Sequence, residues 1–172
     1  VVGCATTASL RLSDRDQVAL RDNEYYTVAF EAGALATLRR AILSGKRVGL
    51  NPKESGPAGL ALSGAQVDLE DVAVWDSADC GIHAVGVGVR LAGRRVVVAH
   101  THNQGVNDIL VGPGLLVEGG AQVWLHQRRI HAAEGVGLAA NQVGSPLNLL
   151  VACLEGKRGE EIILLNAQIV GR

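Results

Sequence analysis

Apolar and polar positions alternate along most of the chain, and the alternation restarts after glycines. From Gly64 the order is Gly64-Ala-Gln-Val67-Asp-Leu69-Glu-Asp-Val72-Ala-Val74. The same frame begins at Gly33, Gly86, Gly120, Gly144 and Gly159. Three residues past each glycine stand Ala36, Val67, Val89, Val123, Leu147 and Ile162. Five past stand Leu38, Leu69, Leu91, Leu125, Leu149 and Leu164, a leucine every time. Ten past stand Leu43, Val74, Val96, Ile130, Leu154 and Ile169. The positions between are mostly polar, which is the period of a strand with one buried face. The eighth position, with Ala41, Val72, Arg94, Arg128, Ala152 and Ala167, reads as a bend.

A second short strand precedes several frames, as in Gly59-Leu60-Ala-Leu62, Gly81-Ile82-His-Ala-Val85 and Gly114-Leu115-Leu-Val117. The unit is therefore strand, glycine turn, strand, bend, strand and variable loop. Anchor spacings are 31, 22, 34, 24 and 15 residues. The middle values suit one coil of a stacked repeat, in which each coil buries its apolar face against its neighbours. The last spacing is too short for a full coil. A leucine-rich repeat lacks support, because its asparagine or cysteine ladder and its helical spacing are absent. A helix over 121–134 fits less well than the strand frame of Val123, Leu125 and Ile130.

This pattern resembles right-handed parallel β-helix proteins of the pectin-lyase-like superfamily, over roughly residues 26–171. The expected fold is all-β, a right-handed parallel β-helix solenoid of about six coils spanning 26–172. Residues 1–25, with Asp14, Arg15, Asp16, Arg21 and Asp22, are expected to form an N-terminal cap or irregular first coil. The resemblance implies three parallel sheets and an extracellular or cell-surface location. It also implies either a structural or binding role without catalysis, or action on polysaccharides. A local stretch, Gly135-Val-Gly-Leu-Ala-Ala-Asn-Gln142-Val-Gly144, is similar to the first motif of peptide deformylases, and Ile163-Leu-Leu-Asn166 suits their next strand. That resemblance implies a metal hydrolase, here in shortened form. The family's metal-ligand motifs, Glu-Gly-Cys-Leu-Ser and His-Glu-x-x-His, do not occur in the 172 residues.

Composition narrows the function classes. The net charge is −1, so no strong field draws nucleic acid or an anionic membrane. The chain is 48% apolar, which excludes general disorder. Twenty-two glycines and only five aromatics suit a turn-rich backbone with small, repetitive side chains. No apolar run approaches the roughly 18 residues of a membrane-spanning helix. Cys4, Cys80 and Cys153 are too scattered for a disulfide framework or zinc site; Cys80 and Cys153 read as small buried apolar groups. The first residue is Val, which reads as a processed or excised product. Val1-Val2-Gly3-Cys4 resembles a lipobox, which makes Cys4 a candidate lipidation site and the chain a candidate anchored lipoprotein.

Candidate chemistry is sparse. Asp76, Asp79 and Asp108 are candidate catalytic carboxylates for a lyase or hydrolase, with Ca²⁺ as a cofactor only in that case. Trp75 and Trp124 point outward in the frame and are candidate binding residues for sugar rings, on different faces. His100 and His102 share a strand face but have no evident third ligand, so no resident metal is expected. Asp68 and Arg90 occupy the same outward place in successive coils and are expected to pair. Polysaccharide is the expected ligand class. No polar cap follows Leu164 and Ile169 in the last frame, and this end is expected to pair with another chain, by self-association, or with sequence beyond these residues.

Overall fold

The computed structural model describes residues 18–21, 28–44, 58–77, 80–102, 113–133, 137–141, 146–156, 162–165 and 168–169. These residues form two parallel sheets and no helix. The first sheet holds, in order, β1 (Val18–Arg21), β3 (Leu35–Ser44), β5 (Gln66–Trp75), β7 (Arg90–Ala99), β9 (Gln122–Ala133), β11 (Pro146–Gly156) and β13 (Gln168–Ile169). The second holds β2 (Val28–Phe30), β4 (Ala58–Ser63), β6 (Cys80–Val85), β8 (Leu115–Glu118), β10 (Leu138–Asn141) and β12 (Ile162–Leu165), also in chain order. Consecutive strands thus enter the two sheets by turns. Among the described residues no helix is long and apolar enough to cross a membrane.

One core lies between the sheets. Leu38, Leu69, Leu91 and Leu125 of the first sheet meet Leu60, Ile82, Leu115 and Leu138 of the second in a single buried cluster. Each fully buried leucine or isoleucine contributes about 1.5–3 kcal/mol of transfer free energy. The short strands expected upstream of the frames are β4, β6 and β8. Their inward residues alternate with outward ones, as in Leu60 and Leu62 around the half-buried Ala61.

The strand register corrects two of the six frames. Val67 lies opposite Leu91, and Leu69 lies opposite Gly93. The third anchor is therefore Gly88, not Gly86. Both glycines have positive φ, +99° and +92°, a conformation that costs side chains with a Cβ. Two adjacent turn glycines made the frame ambiguous by two residues. Gly93 then occupies a leucine row, and a Cβ there would lie 2.5 Å from Leu125 Cδ2. The sixth frame also moves. Ile162 and Leu164 belong to the second sheet, opposite Leu138 and Ala140. Ile169 pairs with Leu147 in the first. Pro146 faces Gln168, 22 residues on, so the last step has ordinary length and the anomalous spacing of 15 disappears.

The bend also sits one residue earlier than the sequence suggests. Arg40, Asp71 and Arg95 take left-handed φ of 48°, 56° and 53° at matching places in β3, β5 and β7. Ala41 and Val72, at the expected bend, are buried instead. A single left-handed residue turns each of these three strands without ending it, so the described residues form two sheets where three were expected. β1 pairs with Ala41–Ser44 of β3, which brings part of the expected cap into the first sheet.

Charges alternate in sign along this bend. Arg39 and Arg40 are followed by Glu70 and Asp71, then by Arg94 and Arg95. Arg95 grips Asp71 through two nitrogens, with Nη2 donating to Oδ2 at 2.7 Å, and also donates to Glu70 at 2.9 Å. Arg39 reaches Glu70 at 3.3 Å. The hydrogen bonds from Arg95 hold the Asp71 carboxyl below its ordinary value of 3.8; desolvation opposes them, and the charges of Arg95, Arg40 and Arg94 add to them. The same contacts raise the Arg95 pKa. A carboxyl depressed in the folded state adds stability above its unfolded value, and loses it as pH falls through the folded value. Arg95→Gln should therefore melt below the parent at pH 7. The gap should narrow as pH drops from about 4 towards 2. Thermal melts across that range check it; a gap independent of pH would count against the pairing.

Candidate binding groove on the first sheet

Outward positions of β3, β5, β7 and β9 form rows across the sheet. One row is Thr37, Asp68, Ala92 and Trp124. The adjacent row, two residues earlier, is Leu35, Gln66, Arg90 and Gln122. Ala92 is the small member, and the sheet surface dips there into an open groove of about 590 Å³ lined by both rows. That volume lies within the range of small-molecule sites. The strands beneath are held by parallel ladders on both sides, so the side chains are presented on a rigid base.

Trp124 forms one wall. The Arg90 guanidinium lies over its ring, 5.8 Å from the centroid, and Arg90 Nε donates to Gln122 Oε1 at 3.4 Å. Register puts Arg90 opposite Gln66 and Asp68 opposite Ala92, so the expected Asp68–Arg90 pair does not form. The two-residue shift of the third frame is the cause. Asp68 is exposed and makes no hydrogen bond or ion pair with any described residue. Leu35, 52% exposed, adds an apolar end.

The other candidates gather at the corner after the long strands. Asp76 and His100 both have left-handed φ, 60° and 54°, and the Asp76 amide donates to Ala99 O. His102 Nε2 lies 2.6 Å from Asp76 Oδ1. His100 packs on Trp75 with ring centroids 4.3 Å apart. Thr101 between them is buried. The left-handed turn at His100 breaks the strand geometry that would have put both imidazoles on one face. They meet different partners instead. Among the described residues no group of three or more His, Cys, Asp or Glu could hold a metal. Asp79, Asp108 and Cys4 lie outside the described residues, as does Gln142 of the deformylase-like stretch. Trp75 and Trp124 are on separate surfaces, with Trp75 42% exposed at the corner. His83, not singled out in the sequence, lies 2.9 Å from Glu118 across adjacent strands of the second sheet. Cys80 is buried, with Sγ donating to Ile82 O at 3.1 Å.

Asp76 is bonded to His102. The groove, by contrast, joins an indole, a cation and an unpaired anion. Sequence reasoning placed Thr37, Asp68 and Trp124 at one outward position of the frame, but put Arg90 there in place of Ala92 and missed Gln66. The signal was the outward row, readable once the third frame starts at Gly88.

No curated protein and no solved structure matches the chain. The sequence model of the polypeptide deformylase family matches residues 125–172, just over a quarter of the chain, and that stretch carries the similar Gly135–Gly144 motif.

Proposed function

We propose that the chain is a parallel β-helix solenoid of about six coils, acting as a binding scaffold without catalysis. One observation carries the reading. The described strands enter two parallel sheets strictly by turns, and this stacking presents a rigid outer face bearing the groove beside Trp124. Polysaccharide is one ligand class to screen, since indoles stack on sugar rings. Tryptophan fluorescence of the parent and of a Trp124→Phe variant tests the reading against glycan and small-ligand panels. A saturable change lost in Trp124→Phe, with no product formed from acidic polysaccharides, is the expected result. Steady turnover of any polysaccharide would replace this reading with the enzymatic one.

The family match at 125–172 favours a second reading, a deformylase-like hydrolase segment. In the structure that stretch supplies β9 to β13 of the same two sheets, and Leu138–Asn141 pairs with Leu115–Glu118. Continuity with the repeat weighs towards the scaffold. Formate release from a formyl-methionyl peptide, with Fe²⁺ or Ni²⁺ supplied, would reverse that choice.

A further inference from the structure

The groove beside Trp124 holds groups of opposite charge that do not neutralise each other. Asp68 and Trp124 stand in one row, on β5 and β9, with β7 between them. Two strand spacings separate them, about 10 Å. Ala92 fills the place between with a methyl group only. Asp68 has no partner among the described residues. Arg90 stands two residues earlier on β7, and its Nε is committed to Gln122. Its terminal nitrogens make no described hydrogen bond. A guest in this gap therefore meets a carboxylate on one side, and on the other an indole with the Arg90 guanidinium over it.

Those three groups select by charge pattern. The Arg90 guanidinium already lies over the Trp124 indole, 5.8 Å from its centroid, so the indole serves the gap as an apolar wall. Asp68 supplies the opposite charge. A cation alone would meet repulsion from Arg90, and an anion alone would meet repulsion from Asp68. A molecule with both charges satisfies both groups, and a planar guanidinium receives carboxylate or phosphate in two-point fashion. We propose that this gap binds a small zwitterion, its ammonium group on Asp68 and its oxyanion on the Arg90 guanidinium that lies over Trp124. Leu35 and the remaining volume leave room for an apolar substituent. The inference rests on the outer face of the first sheet being the binding face.

Calorimetric titration of the full chain with glycine betaine and phosphocholine tests it. The two probes separate carboxylate from phosphate as the anion. Choline and inorganic phosphate test each charge alone. At least one zwitterion should bind one to one, and choline and phosphate each about tenfold more weakly. Asp68→Asn and Trp124→Ala should each weaken binding about tenfold or more, and Trp124→Phe should lose less than Trp124→Ala. Asp68 is exposed, so Asp68→Asn should keep the parent far-UV dichroism. Absence of zwitterion binding, or equal binding by the parent and Asp68→Asn, overturns the proposal. Glycan binding that depends on Trp124 but not on Asp68 also overturns it, yet leaves the scaffold reading standing. Failure of every ligand to perturb Trp124 fluorescence removes the scaffold reading as well.

Discussion

Leu125→Asp should abolish folding of the central strands. Leu125 is 0% exposed, on β9 between Gly93 of β7 and Leu149 of β11. It belongs to the cluster shared by both sheets. Truncating such a leucine to Ala costs about 2–5 kcal/mol. A carboxylate adds the cost of burying a charge with no partner, several kcal/mol more even after relaxation. The sum approaches the whole stability of an ordinary domain, about 5–15 kcal/mol. Because each strand is paired with neighbours on both sides and shares one core, the loss spreads along both sheets. Leu91→Asp should behave alike, since Leu91 is also 0% exposed. Leu35→Asp, at an exposed outward position of the same sheet, is the control and should fold. Soluble expression and far-UV dichroism read the result. A soluble Leu125→Asp protein with the parent spectrum would contradict the inward assignment.

The contrast between Leu125 and Leu35 shows what the sequence made legible. Period-two alternation identified which residues of β3, β5 and β9 face inward, because burial depends only on the parity of position within a strand. It also marked β4, β6 and β8. Register between strands was harder. Alternation repeats every two residues, so a frame shifted by two buries the same side chains and looks equally good. Gly86-Val-Gly88 offered two such frames, and only pairing with Val67 and Leu69 distinguishes them. The same ambiguity hid the groove. Shifted by two, Arg90 replaces Ala92 in the row of Asp68 and Trp124, and a dip becomes an ion pair. The final frame failed differently. Ile162-Ile-Leu-Leu165 has no polar alternation, and a wholly apolar run does not say which of two sheets it joins. The corner was illegible for a third reason. Left-handed backbone at Asp76 and His100 turns their side chains away from the directions that strand periodicity assigns.

Gly81→Ala should be among the most damaging single-methyl additions in the chain. Gly59, Gly81, Gly114 and Gly137 stand at or just before the starts of β4, β6, β8 and β10, one above another. Gly81 N donates to Pro113 O, Ile82 N to Gly114 O, and Leu115 N to Gly137 O. Here the second sheet closes against the branched side chains that end the first sheet's inward rows. A Cβ on Gly81 would fall on Val98 Cγ1 and lie 2.5 Å from the Gly114 carbonyl oxygen. The same position on Gly114 meets Ile130 Cγ2 and lies 2.8 Å from Gly137 O. A side-chain methyl can turn aside; a ladder carbonyl moves only if the neighbouring strand moves. Overpacking of this kind costs about 1–3 kcal/mol or more. For a chain of this length that lowers the melting temperature by about 2–12 °C. Gly86→Ala separates crowding from conformation, because nothing lies within 4 Å of its added Cβ and only the positive φ opposes it. Val98→Ala in the Gly81→Ala background should recover part of the loss, since it removes the side-chain clash and leaves the carbonyl clash. Full recovery would mean that neighbouring strands of the second sheet do not approach through the glycine ladder. Unchanged melting of Gly81→Ala itself would place the second sheet farther from its neighbour than this packing requires.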